Sequence, residues 1–248
     1  SVLNVRSFPY TLDYYEVKVL GSASARRGSE DRDNSEESRI ARFWYGSGSD
    51  WAPTTRAIVQ ERKLNLWQNA RLFALLAIGQ ADVTISVFDS KYHYNFWRPV
   101  TAINWIHDGN FLTLPDTDWL PYLVTPPYPD YPCGVPMLAG AGTEVLRRFF
   151  RSDHVPYTVT GRFAAQNGLP AEEITRSFGS LSQAADEAVS ARVYAGIHFR
   201  TGCEMGVRLG EKVGRFAFRH YLRPLRRGRA HCAAAAAATG TLESRRPA

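Results

Sequence analysis

A long helix is predicted over residues 55–97, which read TRAIVQERKLNLWQNARLFALLAIGQADVTISVFDSKYHYNFW. Apolar side chains recur there close to the helical period of about 3.6 residues. They are Leu66, Ala70, Phe73, Ala74, Ala77, Ala81 and Phe88. Because the run is apolar on more than one face, we expect it in the middle of a helical bundle. Pro99 limits the helix, since the residue before a proline is pushed out of the α region.

The same run bears on membrane insertion. Its most apolar part, residues 72–88, is interrupted by Gln80 and Asp82. It is also shorter than the roughly 20 apolar residues that a membrane span requires. We therefore expect a buried core helix and no membrane span.

The rest of the chain is also predicted to be mainly helical. Residues 1–19 are aromatic and irregular, and residues 21–39 are either an exposed loop or a helix start capped by Ser35. Further helices are predicted over residues 136–150, 169–180, 182–194 and 197–221. Since no strand-like alternation stands out, the predicted class is all-α, a helical bundle.

Two segments are predicted to be loops. Residues 108–132 are rich in proline and have few periodic apolar positions. Long loops in compact domains are usually either functional or disordered, and we expect this one to be ordered. Residues 152–169 form a second loop, with some β-like character at residues 157–160.

The size and composition are those of an ordinary globular protein. Of its residues, 44% are hydrophobic and 22% charged. Its length of 248 residues fits one large domain or two small ones. We divide it into an irregular and helical segment at residues 1–54, a helical bundle at 55–222, and a basic, alanine-rich tail at 223–248 that we expect to be disordered. Ser1 leads at once into polar and aromatic sequence, so we expect residues 1–54 to be the remnant of a longer chain.

Charge and cysteine content narrow the classes of partner. Residues 215–248 hold eight arginines and one glutamate, so residues 1–214 carry a net charge of −1 out of the chain's +6. The basicity therefore belongs to a solvated tail rather than to a nucleic-acid surface. The three cysteines, Cys133, Cys203 and Cys232, form no C-x-x-C pair and argue against a disulfide framework.

The first segment with chemical character is KYHYNFWRP, residues 91–99. Lys91 and Arg98 are seven residues apart, nearly two helical turns, so both cations can project from one face. Buried cations require an anion. That anion is either a ligand or a nearby carboxylate such as Asp82 or Asp89.

The second segment is PPYPDYPCGVP, residues 126–136. A small residue and a glycine, Cys133 and Gly134, lead into a predicted helix N-terminus. Backbone N–H groups and the helix dipole make such an end suitable for an oxoanion. A plain capped helix start is the alternative.

The third segment is ARVYAGIHFR, residues 191–200. Arg192 can clamp an oxoanion with two parallel hydrogen bonds, and His198 can act as a nucleophile or a metal ligand. Six residues are not a clean same-face spacing, so we expect Gly196 to mark a break or a close contact. The alternative is a core histidine whose hydrogen bonds are satisfied internally.

The order of these segments resembles the three-part signature of the vanadium-dependent haloperoxidase and type 2 phosphatidic acid phosphatase superfamily. The signature reads Lys-x6-Arg-Pro, a proline-rich loop that ends in a small residue and glycine, and Arg-x5-His. The resemblance covers roughly residues 10–220. Other stretches resemble the bacterial and algal haloperoxidase-like branch: EVKVLGS from residue 16, IARFW from residue 40, LWQNARLFA from residue 66 and YAGIHFR from residue 194.

The resemblance implies a pocket for vanadate or phosphate inside a helical bundle. Lys91, Arg98 and Arg192 would neutralise the oxoanion, and Gly134 would donate a backbone N–H. His198 would bind vanadium or attack phosphorus.

One part of the signature departs from the family. The second segment of family members reads Pro-Ser-Gly-His, whereas this chain has Pro132, Cys133, Gly134 and Val135. A thiol is a weaker donor than a hydroxyl, and valine exchanges no proton. Binding should therefore survive better than turnover. Ala139 excludes a Cys-x5-Arg phosphatase loop at Cys133.

The sequence supports three functional hypotheses. The first is a haloperoxidase that oxidises halide with hydrogen peroxide on bound vanadate. The second is a phosphomonoesterase on the same scaffold, and the third is a non-catalytic oxoanion-binding domain. In either enzyme, His93 or His107 could replace the missing histidine. The halide, the organic substrate, the compartment and the oligomeric state stay open.

Overall fold

The fold was examined in a computed structural model that describes residues 2–223. Its helices are α1 (Phe8–Leu20), α2 (Ala23–Arg26), α3 (Glu30–Asp33), α4 (Glu36–Tyr45), α5 (Trp51–Gln60), α6 (Leu66–Tyr94), α7 (Pro99–Asn104), α8 (Gly134–Phe150), α9 (Leu181–Tyr194) and α10 (Arg200–His220), with a short 3-10 turn at Ser47–Ser49. Its strands are β1 (Tyr157–Phe163) and β2 (Glu172–Phe178). The predicted helical-bundle class is confirmed. The tail predicted to be disordered, apart from Arg223, lies outside the described residues.

The long predicted helix is two helices. Helix α5 ends at Gln60 and α6 begins at Leu66. Between them Asn65 starts the second helix: its side chain accepts from the backbone N–H of Gln68 at 2.9 Å, and the Gln68 side chain accepts from the backbone N–H of Asn65 at 2.9 Å. The prediction of one continuous helix is wrong, because this reciprocal capping box favours a new start over continuation.

Helix α6 is also not surrounded by protein on all sides. One face is buried and includes Leu72, Leu75 and Val83. Elsewhere along the helix, Trp67 and Ile85 are 81% and 71% exposed. The predicted central position is therefore wrong, although the prediction of a core-packing face is right. The run Leu66–Asn104 is long and apolar enough to cross a membrane. Core helices of soluble proteins can have the same length and hydropathy, so this is weak evidence for a membrane span.

The N-terminal region is more regular than predicted. Ser7 caps α1, and the helix buries Tyr10 and Tyr14. The Tyr10 ring lies 5.5 Å from the ring of Phe199, which precedes α10. Of the two alternatives predicted there, an exposed loop or a helix start capped by Ser35, the structure has the second: Ser35 caps α4. Helix α4 contributes Trp44 to the main core. The division at residue 54 stays a prediction, but residues on both sides of it pack into one core.

The predicted helix over residues 169–180 is wrong. Strands β1 and β2 form an antiparallel hairpin in which Tyr157 pairs with Phe178 and Phe163 pairs with Glu172. Alternate residues of β1 are buried, which matches the β-like character expected at residues 157–160. In β2 the more buried positions also alternate with exposed ones, but two of them are Glu172 and Arg176, so the sequence shows little apolar alternation. Its strand state therefore depends on the cross-strand partner.

Helices α8 and α10 pack with almost no space between their backbones. A Cβ atom at Gly140 would lie 2.3 Å from the carbonyl oxygen of Val207, and one at Gly210 would lie 2.0 Å from that of Met137. Glycine is therefore required at this crossing. The contact brings the N-terminus of α8, at Gly134, against the first turn of α10.

Candidate oxoanion site

The structure brings the four predicted ligand residues together from four places in the chain. Lys91 lies in the last turn of α6, Arg98 directly before α7, Arg192 in the last turn of α9, and His198 between α9 and α10. All four are buried, with at most 5% of each residue exposed. Three buried cations in one place create a strongly positive environment.

Lys91 and Arg98 converge for a different reason from the one predicted. They do not share a helix face, because α6 ends at Tyr94 and Asn95 takes the left-handed conformation, with φ of 45°. Arg98 is the extended residue before Pro99, as the proline predicts. The chain reversal at Asn95, rather than the helical repeat, brings the second cation back to the first.

The proline-rich loop holds both cations through its backbone. The Lys91 ammonium group donates to the carbonyl oxygens of Pro129 and Asp130, each at 2.8 Å. The Arg98 Nε donates to the carbonyl oxygen of Tyr128 at 2.8 Å. Within the described residues neither cation forms an ion pair with Asp82 or Asp89; backbone carbonyl oxygens accept their hydrogen bonds instead.

His198 is held in one tautomer. Its Nε2 lies 2.9 Å from Nη1 of Arg98. Because a guanidinium can only donate, Nε2 is the acceptor and the ring proton resides on Nδ1. Burial, together with the charges of Arg98, Lys91 and Arg192, keeps the pKa of His198 well below its usual value. The ring is therefore neutral near pH 7, with a lone pair on Nε2.

Asp130 is a site residue that the sequence reasoning did not single out. Its Oδ1 lies 2.8 Å from Nδ1 of His198, and the residue is 1% exposed. Burial raises the pKa of Asp130 to about 8, against the opposing charges of Arg98 and Lys91. A single acid in a proline-rich loop gives no local signal for this role, because its contact with His198 spans 68 residues of chain.

Gly196 is the predicted break before His198. Helix α9 ends at Tyr194, and Gly196 has φ of +76°. A Cβ atom there would lie 2.1 Å from the carbonyl oxygen of Gly21. The left-handed turn redirects the chain, so Arg192 and His198 reach the same site in spite of their six-residue spacing.

Unpartnered donors mark where an anion fits. The Nη2 of Arg98 and the Nε of Arg192 are buried and have no hydrogen-bond partner within residues 2–223. The Arg192 guanidinium lies over the ring of Tyr45, with its Cζ atom 5.5 Å from the ring centroid. Buried N–H groups are costly when they have no acceptor. Gly134, the first residue of α8, adds a backbone N–H without an intrahelical acceptor.

Cys133 lies at the N-terminus of α8, where it is completely buried. Burial alone would raise the pKa of its thiol. The hydrogen bond with Cys203 and the charges of Arg192, Lys91 and Arg98 outweigh that effect and lower the pKa to about 7. Cys203 is the second site residue that the sequence reasoning passed over. Its contact with Cys133 depends on the α8–α10 packing.

Both substitutes considered for the missing histidine lie at the surface. His93 and His107 are exposed, whereas the four ligand residues are buried. Val135, the second residue of α8, is half-buried and packs against the main core. An open cleft of about 570 Å³ between residues 95–101 and 125–129 has Arg98 in its wall and offers an approach to the site.

Comparison with known protein families finds a match over the region that contains the three segments. Residues 71–227, more than half of the chain, match the family model of the VCPO second helical-bundle domain. The chain belongs to this family. The resemblance to vanadium-dependent haloperoxidases is thereby confirmed, and so is the helical-bundle fold.

Similar proteins include one curated relative and several solved structures. Vanadium chloroperoxidase of Curvularia inaequalis is 27% identical, over 53% of this chain and 27% of that protein. The crystal structure of a bacterial vanadium-dependent iodoperoxidase is 32% identical, with a TM-score of 0.66 over 88% of this chain and 51% of that one. A holo-type bacterial vanadium-dependent chloroperoxidase, 20% identical, has a TM-score of 0.66 over 85% and 47% and shows the fold alone. The chain spans about half the length of these solved relatives.

Proposed function

We propose that this VCPO-family chain is a vanadium-dependent haloperoxidase-like protein that holds vanadate and oxidises halide with hydrogen peroxide. One observation carries the proposal. Two buried guanidinium N–H groups, on Arg98 and Arg192, have no acceptor in the part of the chain that the structure describes, and they lie beside a neutral His198 whose Nε2 carries a lone pair. A tetrahedral oxoanion would supply the acceptors, and an electrophilic centre within it would take the lone pair.

The residues present fit vanadate. Lys91, Arg98 and Arg192 would compensate its negative charge, and the Gly134 N–H and the dipole of α8 would add to them. When bound, vanadate supplies a Lewis-acidic centre that activates peroxide toward a halide ion.

His198 and Asp130 would act as a ligand and its positioning residue. Nδ1 of His198 lies 2.8 Å from Oδ1 of Asp130 without a hydrogen-bond alignment, so a reorientation of the ring would let it donate to the carboxyl group. Nε2 can then face the oxoanion once Arg98 turns its donors to the anion. Partners of this kind fix the tautomer and the orientation of a ligand histidine. The cations keep the ring neutral, so it is available as a ligand without first losing a proton.

Two alternatives remain on the same site. A phosphomonoesterase is favoured by the neutral His198, because phosphate has the same shape as vanadate and Nε2 would be the nucleophile. A non-catalytic oxoanion-binding domain is favoured by Val135, which leaves no acid–base group where the family has histidine. Neither alternative changes the residues that hold the anion.

A paired assay separates the three functions. The protein is assayed with vanadate, peroxide and each halide, and separately with a chromogenic phosphate ester, beside His198→Ala and the control Arg219→Ala on the exposed end of α10. Halide oxidation that requires vanadate and is lost in His198→Ala supports the haloperoxidase. Ester hydrolysis lost in the same variant supports the phosphatase. Anion binding with neither activity supports the binding domain and overturns the enzyme proposal.

A further inference from the structure

Two thiols face each other in the wall of the oxoanion site. Cys133 and Cys203 are both completely buried, and their sulfur atoms and a ring nitrogen of His198 lie within 4.8 Å of one another. The backbone N–H of Cys133 donates to the carbonyl oxygen of Gly202 at 3.1 Å, which ties the start of α8 to the first turn of α10. The two cysteines are 70 residues apart in the chain and are neighbours only in the fold.

We propose that Cys133 and Cys203 form a peroxide-reactive thiol pair, in which hydrogen peroxide oxidises Cys133 and Cys203 then closes a disulfide. This activity uses neither vanadate nor halide. It is therefore independent of the function proposed above, although both use the same positive pocket.

The surroundings favour Cys133 as the residue that reacts first. It sits at the N-terminus of a 17-residue helix and within the field of Lys91, Arg98 and Arg192. A helix N-terminus and nearby cations stabilise a thiolate, which is the reactive form of cysteine. The same cations stabilise the negative charge that develops on the departing oxygen of the peroxide.

The chemistry balances as a two-electron oxidation. The Cys133 thiolate attacks one peroxide oxygen, the O–O bond breaks, and hydroxide leaves, so that Cys133 becomes a sulfenic acid. The Cys203 sulfur, as it loses its proton, attacks Cys133; the S–O bond breaks, and the hydroxyl group leaves as water. One peroxide is reduced to two waters, counting the proton taken up by hydroxide, while two thiols become one disulfide.

The close packing of α8 and α10 holds the partners in place. A Cβ atom at Gly206, three residues after Cys203, would lie 2.6 Å from the carbonyl oxygen of Cys133. The two backbones therefore approach as closely as glycine allows. The sulfur atoms lie within 4.8 Å of each other and must close to a bond length of about 2.05 Å.

A metal ion is the competing occupant of this cluster. Two sulfurs and an imidazole nitrogen are a ligand set for zinc or another soft cation. Three neighbouring positive charges oppose a cation, and Arg98 already donates to Nε2 of His198. The electrostatics therefore favour redox chemistry of the pair, and metal binding becomes an outcome of the test.

The test uses the full chain with Cys232→Ser, which removes the cysteine outside the described residues. The reduced protein, without vanadate or halide, receives one equivalent of hydrogen peroxide, and intact mass and peptide mapping follow both thiols. We expect the loss of two hydrogen atoms and a Cys133–Cys203 cross-linked peptide. A further Cys203→Ser change should stop the reaction at a sulfenic acid that a cyclic dione traps. A further Cys133→Ser change should slow peroxide consumption by about tenfold or more.

Three results would overturn the proposal. One is that both thiols survive peroxide in the folded protein while the same protein, unfolded, is oxidised. Another is that the Cys133→Ser and Cys203→Ser variants consume peroxide at the same rate. The last is that the purified protein contains zinc bound to the pair, with both thiols protected until a chelator removes it. The first and third need no substitution at either cysteine, so misfolding of a variant cannot obscure them.

Discussion

At the scale of single residues, the proposed function assigns anion binding and proton transfer to different residues. The charges of Lys91, Arg98 and Arg192 and the lone pair of His198 do not depend on residue 135. Where the signature that this chain resembles has histidine, the chain has Val135, whose side chain exchanges no proton. The two functions can therefore be restored or removed independently.

Restoring the proton-transfer group should raise turnover. Cys133→Ser with Val135→His returns the hydroxyl donor and the acid–base group to a site whose cations and His198 are in place. We expect a gain on the order of 10²-fold in peroxidase or phosphatase kcat, the usual contribution of a positioned acid–base. Val135→His alone should gain less, because residues that act as a unit are strongly non-additive. Steady-state kinetics with equal vanadate occupancy measures this, and a double mutant that binds vanadate without any rate gain would place the defect elsewhere.

At the scale of secondary-structure elements, the glycines of the α8–α10 crossing fix the geometry of the site. Gly210→Ala would place a Cβ atom 2.0 Å from the Met137 carbonyl oxygen. We expect a loss of about 2 kcal/mol or more in the free energy of unfolding, and weaker anion binding as the helices separate. Denaturant titration measures the stability.

Gly79→Ala is the matched control in α6. Its new Cβ atom would meet its first neighbour at 3.8 Å, an ordinary contact. Alanine is favoured over glycine inside a helix by up to about 1 kcal/mol, so this variant should be as stable as wild type or more so. Equal destabilisation by the two alanines would show that the close crossing has no special role.

A charge cluster around the buried Glu144 joins the same two helices and should make stability depend on pH. Glu144 in α8 accepts from Arg148 at 2.7 Å and from Arg215 of α10 at 3.1 Å. Burial alone would raise the pKa of Glu144, but these hydrogen bonds and the charges of Arg148 and Arg147 lower it overall. A carboxyl whose pKa is lower folded than unfolded stabilises the fold above its unfolded pKa. That contribution is lost as the pH falls through the folded pKa.

Glu144→Gln should therefore cost stability at pH 7 and little in acid. We expect about 2 kcal/mol at pH 7, below the usual cost of breaking a buried pair because the arginines are partly exposed. The difference from wild type should shrink as the pH falls below about 4.3, the unfolded pKa of glutamate. Unfolding curves at several pH values test this, and a difference that stays constant down to pH 3 would contradict it.

Local signals predicted some elements and missed others for identifiable reasons. The Ser35 cap is encoded by neighbouring residues, and α9 was predicted to within one residue. Helix α6 ends at Tyr94, ahead of the end near Trp97 predicted from Pro99. The β2 strand and the meeting of Cys133 with Cys203 depend on contacts between distant segments. Asp130 was missed for the same reason, since nothing adjacent to it in the sequence indicates His198.

At the scale of the whole molecule, the fold concentrates positive charge in a nearly neutral chain. Residues 1–214 carry a net charge of −1, yet three cations are buried around one histidine. Among the described residues, Nη2 of Arg98 and Nε of Arg192 are buried without acceptors. Burying such groups is costly, and a bound anion would supply the missing acceptors. The central claim is therefore that this pocket binds a tetrahedral oxoanion whether or not it turns over a substrate.

Calorimetry of vanadate and phosphate binding, with thermal unfolding as a second readout, tests that claim most directly. Wild type and the control Arg219→Ala should bind with equal affinity and be stabilised alike, by about 2.7 kcal/mol when the ligand is at 100 times its Kd. Arg98→Ala should lose most of the affinity, since it removes both the partner of His198 and an unpartnered buried donor. No binding to wild type at millimolar anion, or equal stabilisation of Arg98→Ala, would contradict the account.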